Sequence, residues 1–195
     1  MKRLFDILSS LLALLLLSPL FICISLIILL GSRGGVFYRQ QRVGRRGKPF
    51  MLYKFRSMRP DSDKGSLITI GGRDSRITRE GYILRRYKLD ELPQLLNVLR
   101  GDMSVVGPRP EVQRYVDMYT PEQKQVLNVR PGLTDWASIM YMDENELLGK
   151  SSDPEYTYIH EIMPAKLELN LKYIREAGLF TDLKIIFSTF FRIFR

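Results

Sequence analysis

The stretch Arg85-Arg86-Tyr87-Lys88-Leu89-Asp90-Glu91-Leu92-Pro93-Gln94 combines cations, paired carboxylates and a proline in ten positions. Proline is tolerated only in the first turn of a helix, so the spacing predicts a helix that begins near Asp90. Two carboxylates then sit at a helix N-terminus, where free N–H groups and the helix dipole also attract phosphate. An N-cap Asp with an acidic first turn is the plain structural alternative. The neighbouring Arg85, Arg86 and Lys88 favour chemistry instead, because cations can hold phosphate oxygens while the carboxylates act as nucleophile and magnesium ligand.

Two stiff turns present further arginines, Gly107-Pro108-Arg109-Pro110 and Arg130-Pro131-Gly132. A residue before proline is confined to extended geometry, which lowers the entropy cost of aiming a guanidinium at phosphate. A solvated turn arginine is the alternative for either one. Asp61-Ser62-Asp63 has the form of a D-x-D metal motif, although short acidic patterns in loops are usually just solvated. His160 is the chain's single histidine, which argues against a histidine triad or a zinc site. No G-x-x-x-x-G-K-[ST] phosphate loop occurs, and Gly71-Gly72 is too little to stand for one.

These residues need elements to position them. Val36–Arg39 and Pro49–Arg56 are β-prone runs around the basic, glycine-rich Gly44–Gly47, which predicts a β-hairpin. Residues 61–72 read as a loop rich in Asp, Ser and Gly. Leu92, Leu95, Leu96 and Leu99 share one helical face, and Gly101 follows as a stop. Pro121–Val129 and Pro164–Ala177 also read as helices. From Leu179 onward the tail sets Leu183, Ile186, Phe190 and Phe194 against Lys184, Arg192 and Arg195, an amphipathic pattern suited to a membrane interface or to packing on the core.

The N-terminal run from Ile7 to Leu30 carries no charge. As a helix it would cover about 36 Å, against a hydrocarbon core of about 30 Å. It is too long for the core of a signal peptide and no A-x-A-like site follows. Ser18-Pro19 lies mid-run and predicts a bend. Arg33 to Arg59 contains nine cations and no acid, which keeps that flank cytoplasmic, yet Lys2 and Arg3 make the other flank basic too. A straight span and a re-entrant hairpin both remain open on these residues. The net charge of +9 calls for an anionic partner, and the single cysteine, Cys23, excludes an intrachain disulfide. The 195 residues suffice for one domain and an accessory segment.

Five ordered motifs then resemble the bacterial sugar transferase family, the monotopic phosphoglycosyl transferases. They are Lys-Arg-x-x-x-Asp before the apolar Ser-Pro segment, Tyr53–Met58, Leu89–Gln94, Gly101–Pro110 and Arg130–Thr134. The likeness is to the minimal form, without the extra N-terminal transmembrane bundle of longer relatives. Asp135 departs from it, since many members have Gly after the Thr. The resemblance implies a mainly helical α+β fold. Residues 1–32 would form a re-entrant membrane hairpin bent at Ser18 and Pro19, and 33–195 a cytosolic catalytic domain with amphipathic interfacial helices. It implies transfer of a phosphosugar from a UDP-sugar to polyprenol (undecaprenyl) phosphate with release of UMP, at the cytoplasmic face of a bacterial inner membrane. Asp90 would be the nucleophile, Glu91 a catalytic partner and Mg2+ ligand, and Arg85, Arg109, Lys54, Arg56 and Arg130 would bind phosphate or nucleotide. Membrane lipid is an expected partner, nucleic acid is not, and a homodimer is left open. A membrane-anchored glycosyltransferase releasing UDP and a non-catalytic basic lipid-binding module are the rival readings.

Overall fold

The uncharged N-terminal run folds as two helices, for a reason visible at its centre. The computed structural model describes residues 2–60, 62, 68–71 and 74–193. Within them α1 (Lys2–Leu16) and α2 (Ser18–Gly31) are bent by 61° relative to each other. Pro19 has no N–H to offer the Leu15 carbonyl one turn earlier. Ser18 Oγ donates to that carbonyl instead, at 2.8 Å, so the bend leaves no lost hydrogen bond there. Among the described residues no single helix is long and apolar enough to cross a membrane, whereas the bent pair together has the length and composition.

Both ends of the pair return to the same body. At the start of α1, Lys2 binds Asp182 and the Tyr173 hydroxyl, and Arg3 donates to the carbonyls of Val98 and Leu99. The buried Asp6 accepts from the Ser104 hydroxyl at 2.9 Å and the Val105 N–H at 3.0 Å. At the far end Ile24 and Ile28 pack on Phe55 and Leu84, and the Ser32 carbonyl accepts from Arg56 at 2.9 Å. Between these anchors Leu8, Leu11, Leu15, Ile22, Leu26 and Leu30 are exposed.

The predicted hairpin is β1 (Phe37–Val43) and β2 (Pro49–Phe55), antiparallel from Phe37 opposite Phe55 to Val43 opposite Pro49. After α3 (Arg79–Arg86), the helix α4 (Gln94–Arg100) packs on β2 through the buried Asn97. The Asn97 side chain accepts from Tyr53 N–H at 3.0 Å and donates to the Met51 carbonyl at 2.8 Å. Gly101 ends α4 at φ 94°, as expected for a left-handed stop.

Two short strands escape sequence reasoning. β3 (Ser104–Val106) pairs in parallel with β4 (Gly132–Thr134). A Cβ on Gly132 would lie 2.1 Å from the Gly107 nitrogen, so only glycine permits this approach. The rest is helical: α5 (Gln113–Val116), α6 (Trp136–Met140), α7 (Glu144–Gly149), α8 (Pro154–Thr157), α9 (Met163–Arg175) and α10 (Leu179–Ile193). Their main core gathers Val112, Tyr115, Val126, Leu148, Ile162 and Leu167.

Two helix expectations need correction. Asp90 does not open an α-helix: Leu89–Glu91 is a 3-10 turn and α4 starts only at Gln94. Lys88, at φ 56°, breaks the chain from α3; Glu91, Leu92 and Leu95 each bond three residues back, and the Leu89 carbonyl accepts from Leu92 because Pro93 has no N–H to give it. Residues 121–129 likewise hold a 3-10 segment, Gln123–Asn128, ending where Arg130-Pro131 forces extended backbone. Asp61, Asp63 and Gly72, on which the D-x-D, loop and Gly-Gly readings fall, lie outside the described residues.

Candidate active site

The 3-10 turn has a direct consequence for its two carboxylates. Asp90 and Glu91 are both buried, but their surroundings differ. Lys54 reaches Glu91 from β2, and Arg109 reaches it from the stiff turn that follows β3. Arg109 Nη1 donates to Glu91 Oε2 at 3.0 Å, Nη2 donates to Oε1, and Lys54 Nζ donates to Oε1 at 3.1 Å. Burial works to raise the Glu91 pKa, yet the Arg109 guanidinium and the Lys54 ammonium outweigh it and hold the carboxyl well below its ordinary range. Glu91 is therefore a fixed anion.

Asp90 has no such clamp. Its Oδ1 is buried without a hydrogen-bond partner among the described residues. Burial pushes its carboxyl up from the usual value, Lys54 opposes this, the Glu91 charge adds to it, and Arg85 and Lys88 oppose it again. A buried, unpartnered carboxylate oxygen is costly and is found where a ligand or reaction supplies the missing partner.

The site opens into a cavity of about 410 Å³ lined by Lys54, Arg85, Lys88, Asp90, Glu91 and Arg109. Of the residues singled out in the sequence, the structure brings together Asp90, Glu91, Lys54, Arg85 and Arg109. Arg85 also donates to Thr69 Oγ1 at 3.0 Å. Arg56 instead lines a neighbouring cleft of about 200 Å³ with Lys54 and Arg85. Arg130 points elsewhere, its Nε donating to the Gly101 carbonyl at 2.9 Å, and it borders cavities beside Arg45.

Other residues join the site whose part in it the sequence reading did not assign. Lys166 of α9 and Glu144 of α7 pair at 2.6 Å on the cavity wall. Asp135 is fully buried; it caps α6 through the Ser138 N–H and accepts the Arg109 backbone N–H at 3.0 Å. The cap was readable from an Asp preceding a helix, but its hold on Arg109 was not. Asp135 thus fixes the backbone from which the Glu91 partner projects.

Among the described residues no group of three or more His, Cys, Asp or Glu could cage a metal ion. Magnesium rarely needs such a cage, because it is commonly held by one or two carboxylates, substrate phosphates and water. A carboxylate offers about four acceptor positions, so Glu91 Oε2, with a single donor, keeps one free. That free position fits one contact to a hard cation whose other ligands are phosphate oxygens and water.

A UDP-glucose:undecaprenyl-phosphate glucose-1-phosphate transferase of Escherichia coli (strain K12) is 39% identical over 198 residues, covering 100% of this chain and 40% of that protein. A UDP-N-acetylgalactosamine-undecaprenyl-phosphate N-acetylgalactosaminephosphotransferase of Aeromonas hydrophila is 38% identical, covering 96% of this chain and 42% of its own length. The chain thus spans about two fifths of both relatives. The exopolysaccharide production protein PSS of Rhizobium leguminosarum bv. phaseoli is 41% identical, with 97% of this chain and 92% of that protein covered. A family model described as bacterial sugar transferase matches residues 1–195, and the chain belongs to that family.

Proposed function

We propose that the chain transfers a phosphosugar from a UDP-sugar to polyprenol phosphate, releasing UMP through a covalent intermediate on Asp90. The observation that carries this reading is the buried Asp90 oxygen without a partner, in a cavity walled by Arg85, Lys54 and Arg109. The activities of the Escherichia coli and Aeromonas relatives, both undecaprenyl-phosphate phosphosugar transferases, support it.

In the first half-reaction an Asp90 carboxylate oxygen attacks the sugar-bearing phosphorus. An O–P bond forms, the bond to the bridging oxygen breaks, and the electron pair leaves with UMP. In the second, an oxygen of polyprenol phosphate attacks the same phosphorus, and the Asp90 carboxylate departs as leaving group. Arg85, Lys88 and Arg109 neutralise the diphosphate, since phosphoryl transfer rests on positioning and electrostatics. Glu91 keeps Arg109 and Lys54 in place. Mg2+, held by the free position on Glu91 together with substrate phosphate oxygens, would offset further charge.

The exposed leucines and isoleucines of α1 and α2 support a membrane-inserted hairpin. Its re-entrant form is supported by Lys2, Arg3 and Asp6 at one end and Ser32 at the other, all bound to the body that carries Asp90. The catalytic body then lies against the cytoplasmic face, where a lipid acceptor and a soluble donor can meet.

The test is the acceptor-free reaction. Radiolabelled UDP-sugar should tag the wild-type protein and release about one UMP per active site as a burst. Asp90→Asn, nearly isosteric but a poor nucleophile, should abolish the tag. Release of UDP would point to a glycosyltransferase, and UMP release that strictly requires acceptor would replace the covalent route by direct displacement.

A further inference from the structure

The Asp90 cavity has two chemically different walls. One is ionic, formed by Lys54, Arg85, Lys88, Arg109 and Lys166. The other is apolar, and α10 supplies Ile186, Phe190 and Ile193 to it, alongside Leu92, Ile139 and Met142. Spacings of four and three residues place the α10 side chains in one stripe, about 10 Å long. α10 is held in register with the catalytic residues, because Thr189 and Thr134 of β4 share a hydrogen bond at 2.6 Å. β4 pairs with β3, which leads into the Arg109 turn. Ile186 packs inward against the cluster of Val106 and Ile185. The same helix exposes Phe187 at 61% and Phe190 at 59%. The stripe therefore joins a position packed on the core, Ile186, to an exposed one, Phe190, without a polar residue at its three positions.

A nucleotide sugar offers little to such a wall. A molecule with an anionic phosphate head and a long hydrocarbon chain matches both walls at once. We infer that the Ile186–Phe190–Ile193 stripe of α10 binds the first isoprenoid units of the polyprenyl phosphate acceptor and steers its phosphate to Asp90. This rests on the proposed transfer reaction and adds to it the acceptor's binding site and approach.

The experiment separates acceptor binding from donor chemistry and from membrane anchoring. The probe is a ten-carbon prenyl phosphate, soluble enough that its concentration does not depend on bilayer partition. Phe190→Ser and Phe190→Ser/Ile193→Ser should raise its KM by about tenfold or more, the scale of losing a few apolar methylene contacts. The acceptor-free UMP burst and the KM for UDP-sugar should stay as in wild type. Phe191→Ser is the control, since Phe191 is 71% exposed and is not a lining residue of the cavity; its acceptor KM should not move. An unchanged acceptor KM in the double variant with an intact burst would overturn the inference while leaving the transfer reaction standing. Equal effects of Phe191→Ser and Phe190→Ser would assign α10 to membrane anchoring alone. Loss of the burst in Phe190→Ser would assign the wall to the donor. Absence of a burst in the wild type would refute the underlying reaction itself.

Discussion

Replacing Asp135 by alanine removes two interactions at a fully buried position. One is the cap on α6, through Ser138 N–H, which is worth about 1 kcal/mol in comparable helices. The other is the acceptor for the Arg109 backbone N–H at 3.0 Å; a buried donor left without a partner costs about 1–3 kcal/mol. The sum is about 2–4 kcal/mol, or a fall in Tm of about 4–16 °C for a chain of this size. Trp136 is the single tryptophan and follows Asp135 directly, so fluorescence-monitored unfolding in nanodiscs reports at the site. Asp135→Asn keeps one carbonyl acceptor for two N–H donors and should lose about half as much. Turnover should fall further than folding explains, because Arg109 loses its backbone anchor while keeping its side chain. An alanine variant within about 0.5 kcal/mol of wild type would show that Asp135 neither caps α6 nor holds the Arg109 turn, and the positioning argument would fail.

The dyad carries a pH signature of opposite signs. The depressed Glu91 pKa contributes stability above the ordinary glutamate range that is lost as pH falls through the folded value. Glu91→Gln should therefore cost about 3 kcal/mol at pH 7, the low end for breaking a buried pair because the Arg109 side chain keeps 33% exposure. That deficit should shrink on acidification in urea titrations, and a pH-independent deficit would contradict the ion-pair account. The raised Asp90 pKa acts in reverse, contributing stability below the ordinary aspartate range that is lost as pH rises through the folded value. Asp90→Asn should thus be inactive yet at least as stable as wild type at pH 7, and a clear drop in Tm would refute the unpaired-charge reading. For the hairpin, a cysteine added at the N-terminus in a Cys23→Ser background should be labelled only after cells are permeabilised, and efficient periplasmic labelling would require a span.

What the sequence determined by itself is what neighbouring residues decide among themselves. Pro19 bends its helix because a proline lacks an N–H wherever it stands, and Ser18 repairs the loss within one turn. The β1–β2 hairpin, the stop at Gly101, α9 and α10 follow from alternation, turn chemistry and helical periodicity over a few residues. The acidic pair among cations was equally legible as a candidate site. Only the tertiary structure decided which carboxylate is free. Glu91 is taken by Lys54 and Arg109, each at least 18 positions away, and no local pattern encodes that closure. The same holds for Arg130, which an identical stiff turn seemed to qualify but which the β3–β4 pairing directs to the Gly101 carbonyl. It holds too for Asp6, whose acceptor role on β3 ties the bent helix pair to the body that carries Asp90 across 98 positions. Even the local error at Asp90 has a long-range side: the missing N–H of Pro93 made a 3-10 turn available, and the burial of Asp90 and Glu91 beneath that turn was set by the strand and loop that pack over it.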